Sequence, residues 1–261
     1  MAGKYLLEIN QQRHNGMPDS VATPFLDWGT LETDTERLRK DPASIRVVFF
    51  SGGADVSPAL YSERPGSRTL EVDAARDQEE QELFRLARAA NLPLLGICRG
   101  AQFLCVMAGG RLCQHLEGHR LGRGEMHGLQ ALNLRGAVCE LECSSTHHQM
   151  QLPPAGASVL AWAEPRLAGG QYRNGDDEPI TPALEYEAVY YPQARSLGFQ
   201  WHPEWMSPDT RALPTRGELR PIDLGCETAE TRSPEGSVFV GAVSTWPCNR
   251  CSLGRTRLHA V

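Results

Sequence analysis

The sequence predicts an α/β domain in which a mostly parallel sheet is covered by helices and continues into an antiparallel β extension. Two observations carry this reading. In the first half, short apolar runs alternate with helix-spaced stretches, the order that builds a parallel sheet. In the second half, from Val159 to Phe199, strand-like runs follow one another with no helix between them. At 261 residues and 41% hydrophobic content, the chain is long enough for one large domain with a buried core.

Tyr5 to Ile9 reads as the first strand and Ile45 to Phe50 as the next, with a tight Ser51-Gly52-Gly53-Ala54-Asp55 turn behind it. Between Asp73 and Ala90, Leu83, Leu86, Ala87 and Ala90 follow helical spacing, acidic residues gather early, and Asn91 with Pro93 supplies the stop. The run Leu92 to Ile97 is a strand, Ala101 to Met107 a helix, and Gly109-Gly110 ends it. Arg111 to Gly128 is polar and punctuated by glycine, so it reads as a loop whose His115, His119 and His127 are solvated. Val159 to Trp162, Ala183 to Tyr190 and Ser196 to Gln200 read as strands. The middle one alternates apolar and acidic residues, which puts Glu185 and Glu187 on a solvated face.

Where the apolar run Leu92 to Ile97 ends, Gly96-Ile97-Cys98-Arg99-Gly100 places a thiol between two glycines at a strand-to-helix junction. That is the geometry of a nucleophile elbow with Cys in the place of Ser. The glycines let the chain turn sharply, the helix N-terminus favours negative charge on sulfur, and the backbone N–H of Arg99 is left to face an oxyanion. A buried structural thiol is the competing reading. Further on, Gly198 to Trp205 reads as a strand running into His202-Pro203-Glu204, with His202 and Glu204 two apart on extended chain and so on one side. A base beside a thiol, oriented by a carboxylate, completes a Cys/His/acid triad. A packed or solvated histidine is the alternative.

These motifs, with Asp73-Ala74-Ala75-Arg76-Asp77 and Ser145-Thr146-His147-His148-Gln149, resemble in kind and order the class I glutamine amidotransferase superfamily, and within it the γ-glutamyl-γ-aminobutyrate hydrolase or peptidase C26 branch. The resemblance spans most of residues 1–206 and implies a flavodoxin-like three-layer sandwich. It implies Cys98 as nucleophile, His202 as base and Glu204 as its orienting acid. Gly53 and Arg99 are the implied oxyanion donors, with Gln102, His147, His148 and Gln149 on the substrate side. Where the family usually has Asn three positions before the first of these histidines, this chain has Ser144.

The implied reaction is cleavage of the γ-glutamyl amide bond of glutamine or a γ-glutamyl amine, with no metal and no cofactor. Two alternatives stay open: a glutaminase component that delivers ammonia to a separate synthetase, and a non-catalytic binding protein on the same fold. The expected partner is a small γ-glutamyl substrate. The net charge of −6 offers no basic footprint for nucleic acid, and no apolar run is long enough for a membrane span. Eight cysteines, several of them inside helix or strand patterns, suit a reducing, cytoplasmic compartment.

Residues 207–261 match the family poorly. The terminal helix expected there is replaced by Pro-, Gly-, Arg-, Thr- and Ser-rich sequence, with Val238 to Val243 the only strand-like run. The segment is therefore expected to be a flexible tail. Its Cys248 and Cys251 lack a second ligand pair, since Cys139 and Cys143 lie in a strand-like segment and read as packed. A segment that buries little apolar surface adds little stability. Truncation after Pro208 is expected to leave the thermal transition and activity nearly unchanged; loss of solubility and a lowered transition in the truncated protein would show that the tail docks on the domain.

Overall fold

The computed structural model describes residues 3–206 other than 15, 16, 123, 124 and 133–137. One nine-stranded sheet contains β1 (Tyr5–Ile9), β2 (Thr30–Glu32), β3 (Ile45–Phe50), β4 (Leu94–Ile97), β5 (Met126–Leu132), β6 (Val138–Ser144), β7 (Ser158–Ala163), β8 (Tyr186–Tyr191) and β9 (Ser196–Phe199), in the spatial order β6-β5-β7-β8-β9-β4-β3-β1-β2. From β2 to β9 the pairings are parallel; from β9 outward through β8, β7, β5 and β6 they are antiparallel. This is an α/β, flavodoxin-like architecture with an antiparallel extension.

The parallel strands are apolar at consecutive positions because both faces of the sheet are buried. Leu6, Val47, Phe49, Leu95 and Ile97 enter one core, together with Phe25 of the 3₁₀ segment Thr23–Trp28. Leu7, Val48, Phe50 and Leu94 enter the other. There they meet Leu83 and Ala87 of α2 (Ala74–Ala89) and Phe103, Leu104 and Val106 of α3 (Arg99–Met107). Asp73 caps α2 by accepting from the Arg76 N–H at 3.0 Å. A short α1 (Glu36–Lys40) lies beside it.

The structure corrects three expectations. Residues 111–128 are not simply a loop: Arg111–Cys113 pairs with Met150–Leu152, His115–Leu116 pairs with Tyr172–Arg173, and β5 begins at Met126. Glu185 and Glu187 are fully buried, and so is His119 at 0% exposure, with His127 at 7%. Their partners come from segments remote in sequence, so no local period marks the covering of that face. Pro203–Trp205 forms a 3₁₀ turn rather than extended chain, with Pro203 in its first turn. The expectations for residues 207–261, Val238 to Val243 and the Cys248/Cys251 pair included, lie outside the described residues.

The close approach of α3 to the sheet depends on glycine. A Cβ on Gly100 would sit 2.0 Å from the Phe50 carbonyl oxygen, and one on Gly96 would sit 2.4 Å from the Gly100 oxygen. Both neighbours are backbone in the core and have little room to yield. Gly100→Ala is expected to destabilise the domain by about 3 kcal/mol, the upper range for overpacking, read as a lowered midpoint in denaturant unfolding; an unchanged midpoint would contradict the packing described.

Candidate active site

At the end of β4 the chain turns at Cys98, with φ 53° and ψ −111°, directly into α3. A positive φ on a non-glycine residue is strained by roughly 1–3 kcal/mol and is kept where the surroundings enforce it. Here the Cys98 N–H donates to Phe199 O at 2.8 Å, while Ala101 N–H and Gln102 N–H donate to Cys98 O at 3.0 and 3.2 Å. The thiol is thus held at the helix N-terminus, on a cleft it shares with Gly53 and Arg99.

His202 arrives just past β9, the strand that pairs in parallel with β4. Its Nδ1 is 2.6 Å from Glu204 Oε1, and its ring is stacked on Trp205 with centroids 3.7 Å apart and planes 5° from parallel. Ser144 clamps its backbone from β6: the Ser144 hydroxyl donates to His202 O at 3.0 Å and accepts from the His202 N–H at 3.1 Å. Burial by itself disfavours the imidazolium. The charge of the Cys98 sulfur and a hydrogen bond to it, followed by those of Glu204, outweigh burial and raise the His202 pKa to about 10.

Arg99 does more than offer its N–H. Its guanidinium is buried between Asp77 and Glu80 of α2, and its Nε donates to Ala54 O at 3.1 Å. Asp77 accepts from the Ser57 N–H at 2.9 Å, and Glu80 from Arg76 Nε at 2.8 Å and Asn10 Nδ2 at 3.0 Å. Gly53, with φ 135°, is carried on the loop so pinned.

The cleft, about 170 Å³ in volume, is lined by Cys98, Gly53, Arg99, Gln102 and the His147-His148-Gln149 segment. Gln102 Nε2 donates to Gln149 O at 3.0 Å, while His148 Nε2 and Gln149 Nε2 meet the two carboxylate oxygens of Asp55 at 3.1 and 3.0 Å. All the residues expected at the site therefore gather around one cleft or, for His202 and Glu204, directly behind its thiol.

A model of the family described as Peptidase C26 matches residues 15–163. The chain belongs to the Peptidase C26 family. It is 29% identical over 182 residues to a glutamine amidotransferase-like protein, YvdE, of Lactococcus lactis, an alignment covering 65% of this chain and 70% of that one. It is 31% identical over 182 residues to a protein of Mycobacterium tuberculosis named as a "putative glutamine amidotransferase", covering 64% of this chain and 53% of the relative. The chain thus spans only about half of that second relative. Among solved structures, a glutamine amidotransferase of Thermotoga maritima superposes with a TM-score of 0.52 at 16% identity, over 78% of this chain and 77% of that one; at that identity the likeness concerns the fold.

Four residues of this C26 site were not singled out for these contacts from sequence: Ser144 as the clamp on His202, Asp55 as the anchor of His148 and Gln149, Trp205 as the lid on the imidazole, and Arg120 in the cleft wall. No local pattern distinguishes them: Ser144 and Asp55 act on residues far along the chain, and Trp205 reaches the His202 ring only through the 3₁₀ turn between them. Ser144 fills its position with a hydroxyl that both donates and accepts, which is what a peptide group needs from a clamp.

Among the other described thiols, burial pushes Cys105 up to about 12 and Cys113 up to about 11, and raises Cys143 as well. Because the folded His202 value lies above the ordinary 6.5, the pairing stabilises the fold fully below about pH 6.5 and fades as pH rises towards 10. Cys98→Ala removes the larger favourable influence and leaves burial opposed by Glu204 alone, so the His202 midpoint in a histidine NMR titration is expected to fall. An unchanged midpoint would mean that the sulfur does not face this ring.

Proposed function

We propose that the chain is a cysteine-dependent hydrolase that cleaves the γ-glutamyl amide bond of glutamine or of a γ-glutamyl amine through a thioester. The observation that carries this reading is the series Cys98, His202, Glu204 at a strained elbow on the floor of a small cleft. The Cys98 sulfur attacks the γ-carbonyl carbon, and the N–H groups of Gly53 and Arg99 receive the oxyanion. As the tetrahedral intermediate collapses, the C–N bond breaks and the His202 imidazolium gives its proton to the leaving amine. His202, now neutral, takes a proton from water; the hydroxide adds to the thioester, the C–S bond breaks, and glutamate leaves. The proton on His202 restores the starting pair.

Substrate size and charge support the same reading. The cleft suits an amino acid rather than a protein chain, and its wall carries both Arg120 and Glu71. A cation and an anion at one mouth complement the carboxylate and ammonium of a free α-amino-acid head group. Gln102 and the 147–149 segment are assigned to hold the glutamyl part. The names of the relatives point to amide-nitrogen chemistry on glutamine, in line with this substrate class.

Glutamate release from glutamine and a panel of γ-glutamyl amines tests the proposal. Cys98→Ala and His202→Ala are each expected to lower turnover by roughly 10³-fold or more, with the double variant little worse than either, because members of a triad act as a unit. Glu204→Gln should cost less, and Cys105→Ala should retain turnover. Stoichiometric alkylation should fall on Cys98. Glutamate release that survives in Cys98→Ala, or losses that add in the double variant, would sink the assignment; ligand binding without turnover would favour a non-catalytic role.

A further inference from the structure

Behind the cleft lies a second cluster of titratable side chains, of which only His147 also belongs to the cleft lining. His119, His127, His147, Cys143, Glu185 and Glu187 come from five separate stretches of the chain, and all are buried. Three imidazole nitrogens converge on a single carboxylate oxygen, Glu187 Oε1: His119 Nδ1 at 3.2 Å, His147 Nε2 at 3.5 Å and His127 Nε2 at 3.6 Å. The Cys143 sulfur is 3.4 Å from His127 Nε2.

The other nitrogen of each ring fixes what the converging atoms are. His147 Nδ1 is 2.9 Å from Gln149 O and His127 Nδ1 is 2.9 Å from Gly128 O; carbonyl oxygens only accept, so both Nδ1 atoms donate. In the neutral rings the two Nε2 atoms then carry lone pairs, and both point at a carboxylate oxygen that also only accepts. His119 Nε2 is likewise engaged, at 2.8 Å from Glu185 Oε2, and that carboxylate is itself held by Leu167 N–H, Ala168 N–H and the Tyr172 hydroxyl at 2.8, 3.0 and 2.7 Å. His147 Nε2 and both oxygens of Glu187 lack a well-formed hydrogen bond among the described residues. Lone pairs facing a carboxylate in a buried interior are costly unless a cation lies among them, a place that a metal ion or a protonated histidine can fill.

We propose that His119 Nδ1, His147 Nε2 and Glu187 bind one divalent transition-metal ion, of which zinc is the best match. The three ligand atoms lie within 4.8 Å of one another, which leaves the fourth position of a tetrahedral ion to water. Zinc bonds of about 2.0–2.2 Å to nitrogen and oxygen give tetrahedral edges of roughly 3.3 Å, close to the observed 3.2 and 3.5 Å. Two imidazoles and one carboxylate form a borderline donor set that favours zinc over calcium or magnesium. Each histidine is also oriented through its far nitrogen by a carboxylate or a backbone carbonyl, the usual surroundings of a metal-bound imidazole. The ion would neutralise buried Glu187 and tie β8 to the 143–149 segment. That segment carries the cleft residues His147, His148 and Gln149, and through Ser144 it holds His202. The ion itself takes no part in the reaction assigned to Cys98.

The test uses the full chain carrying Cys98→Ala, Cys248→Ser and Cys251→Ser, which removes the elbow thiol and the Cys-x-x-Cys of the tail as competing ligands. After dialysis against micromolar zinc and then buffer, elemental analysis is expected to find about one zinc per chain, with a higher melting temperature than the chelator-treated protein. Adding Glu187→Gln should abolish the retained zinc. Should that variant not fold, anomalous diffraction at the zinc edge from crystals of the parent decides, with a peak between His119 Nδ1 and His147 Nε2 expected. Absence of stoichiometric zinc in the parent, full retention in a folded Glu187→Gln protein, or a peak elsewhere would overturn the proposal and leave protonated histidine as the counter-charge.

Discussion

The buried guanidinium of Arg99 between Asp77 and Glu80 is the contact on which the rest of the site depends. It joins the residue after Cys98 to α2, and through Ala54 O and the Asp77 bond to Ser57 N–H it fixes the loop that carries Gly53. The two backbone donors assigned to the oxyanion thereby belong to one rigid body. Removing one partner would leave the others charged and buried, which costs several kcal/mol and makes the network a strong constraint even where its net stabilisation is small.

Topology supplies the second half of the site. β9 lies parallel to β4, so the two strands end on the same edge of the sheet, and the Cys98 N–H bonds directly to Phe199 O. The thiol at the end of one strand and the imidazole just beyond the other are thus brought together by strand pairing. More than a hundred residues separate them in the chain. The intervening residues build the antiparallel extension, whose strand β6 delivers Ser144 to clamp His202. Ligand sites at the carboxyl ends of parallel strands are the rule for open α/β sheets.

The same extension creates an interior that departs from an apolar core. β8 places Glu187 inward, and β5, the segment before it and the turn after β6 each bring a histidine onto it, so charged and polar groups fill space that leucine and valine occupy elsewhere. Burial of such groups is stable only when their lone pairs and protons are matched. Here that requirement falls on the segment that also lines the cleft, linking the stability of the extension to the geometry of the site. No helix among the described residues is long and apolar enough to cross a membrane.

The sequence by itself determined the parallel half of the domain. Tyr5–Ile9 and Ile45–Phe50 are strands at the predicted residues, and α2 runs from the Asp73 cap to Ala89 as its spacing implied, because apolar runs and caps are local signals. The elbow was legible for the same reason: a Gly-flanked Cys between strand and helix is written in five consecutive residues. Only the tertiary structure decided the fate of the polar residues. Glu185 and Glu187 alternate with apolar neighbours like a solvated strand face, and His119 and His127 sit among glycines like a loop, yet all four are inside. Their burial is set by which distant segments cover them, and the contacts of Ser144, Asp55 and Arg99 are set in the same way. Alternation records that two faces differ; what lies against each face depends on chain folding that no local period contains.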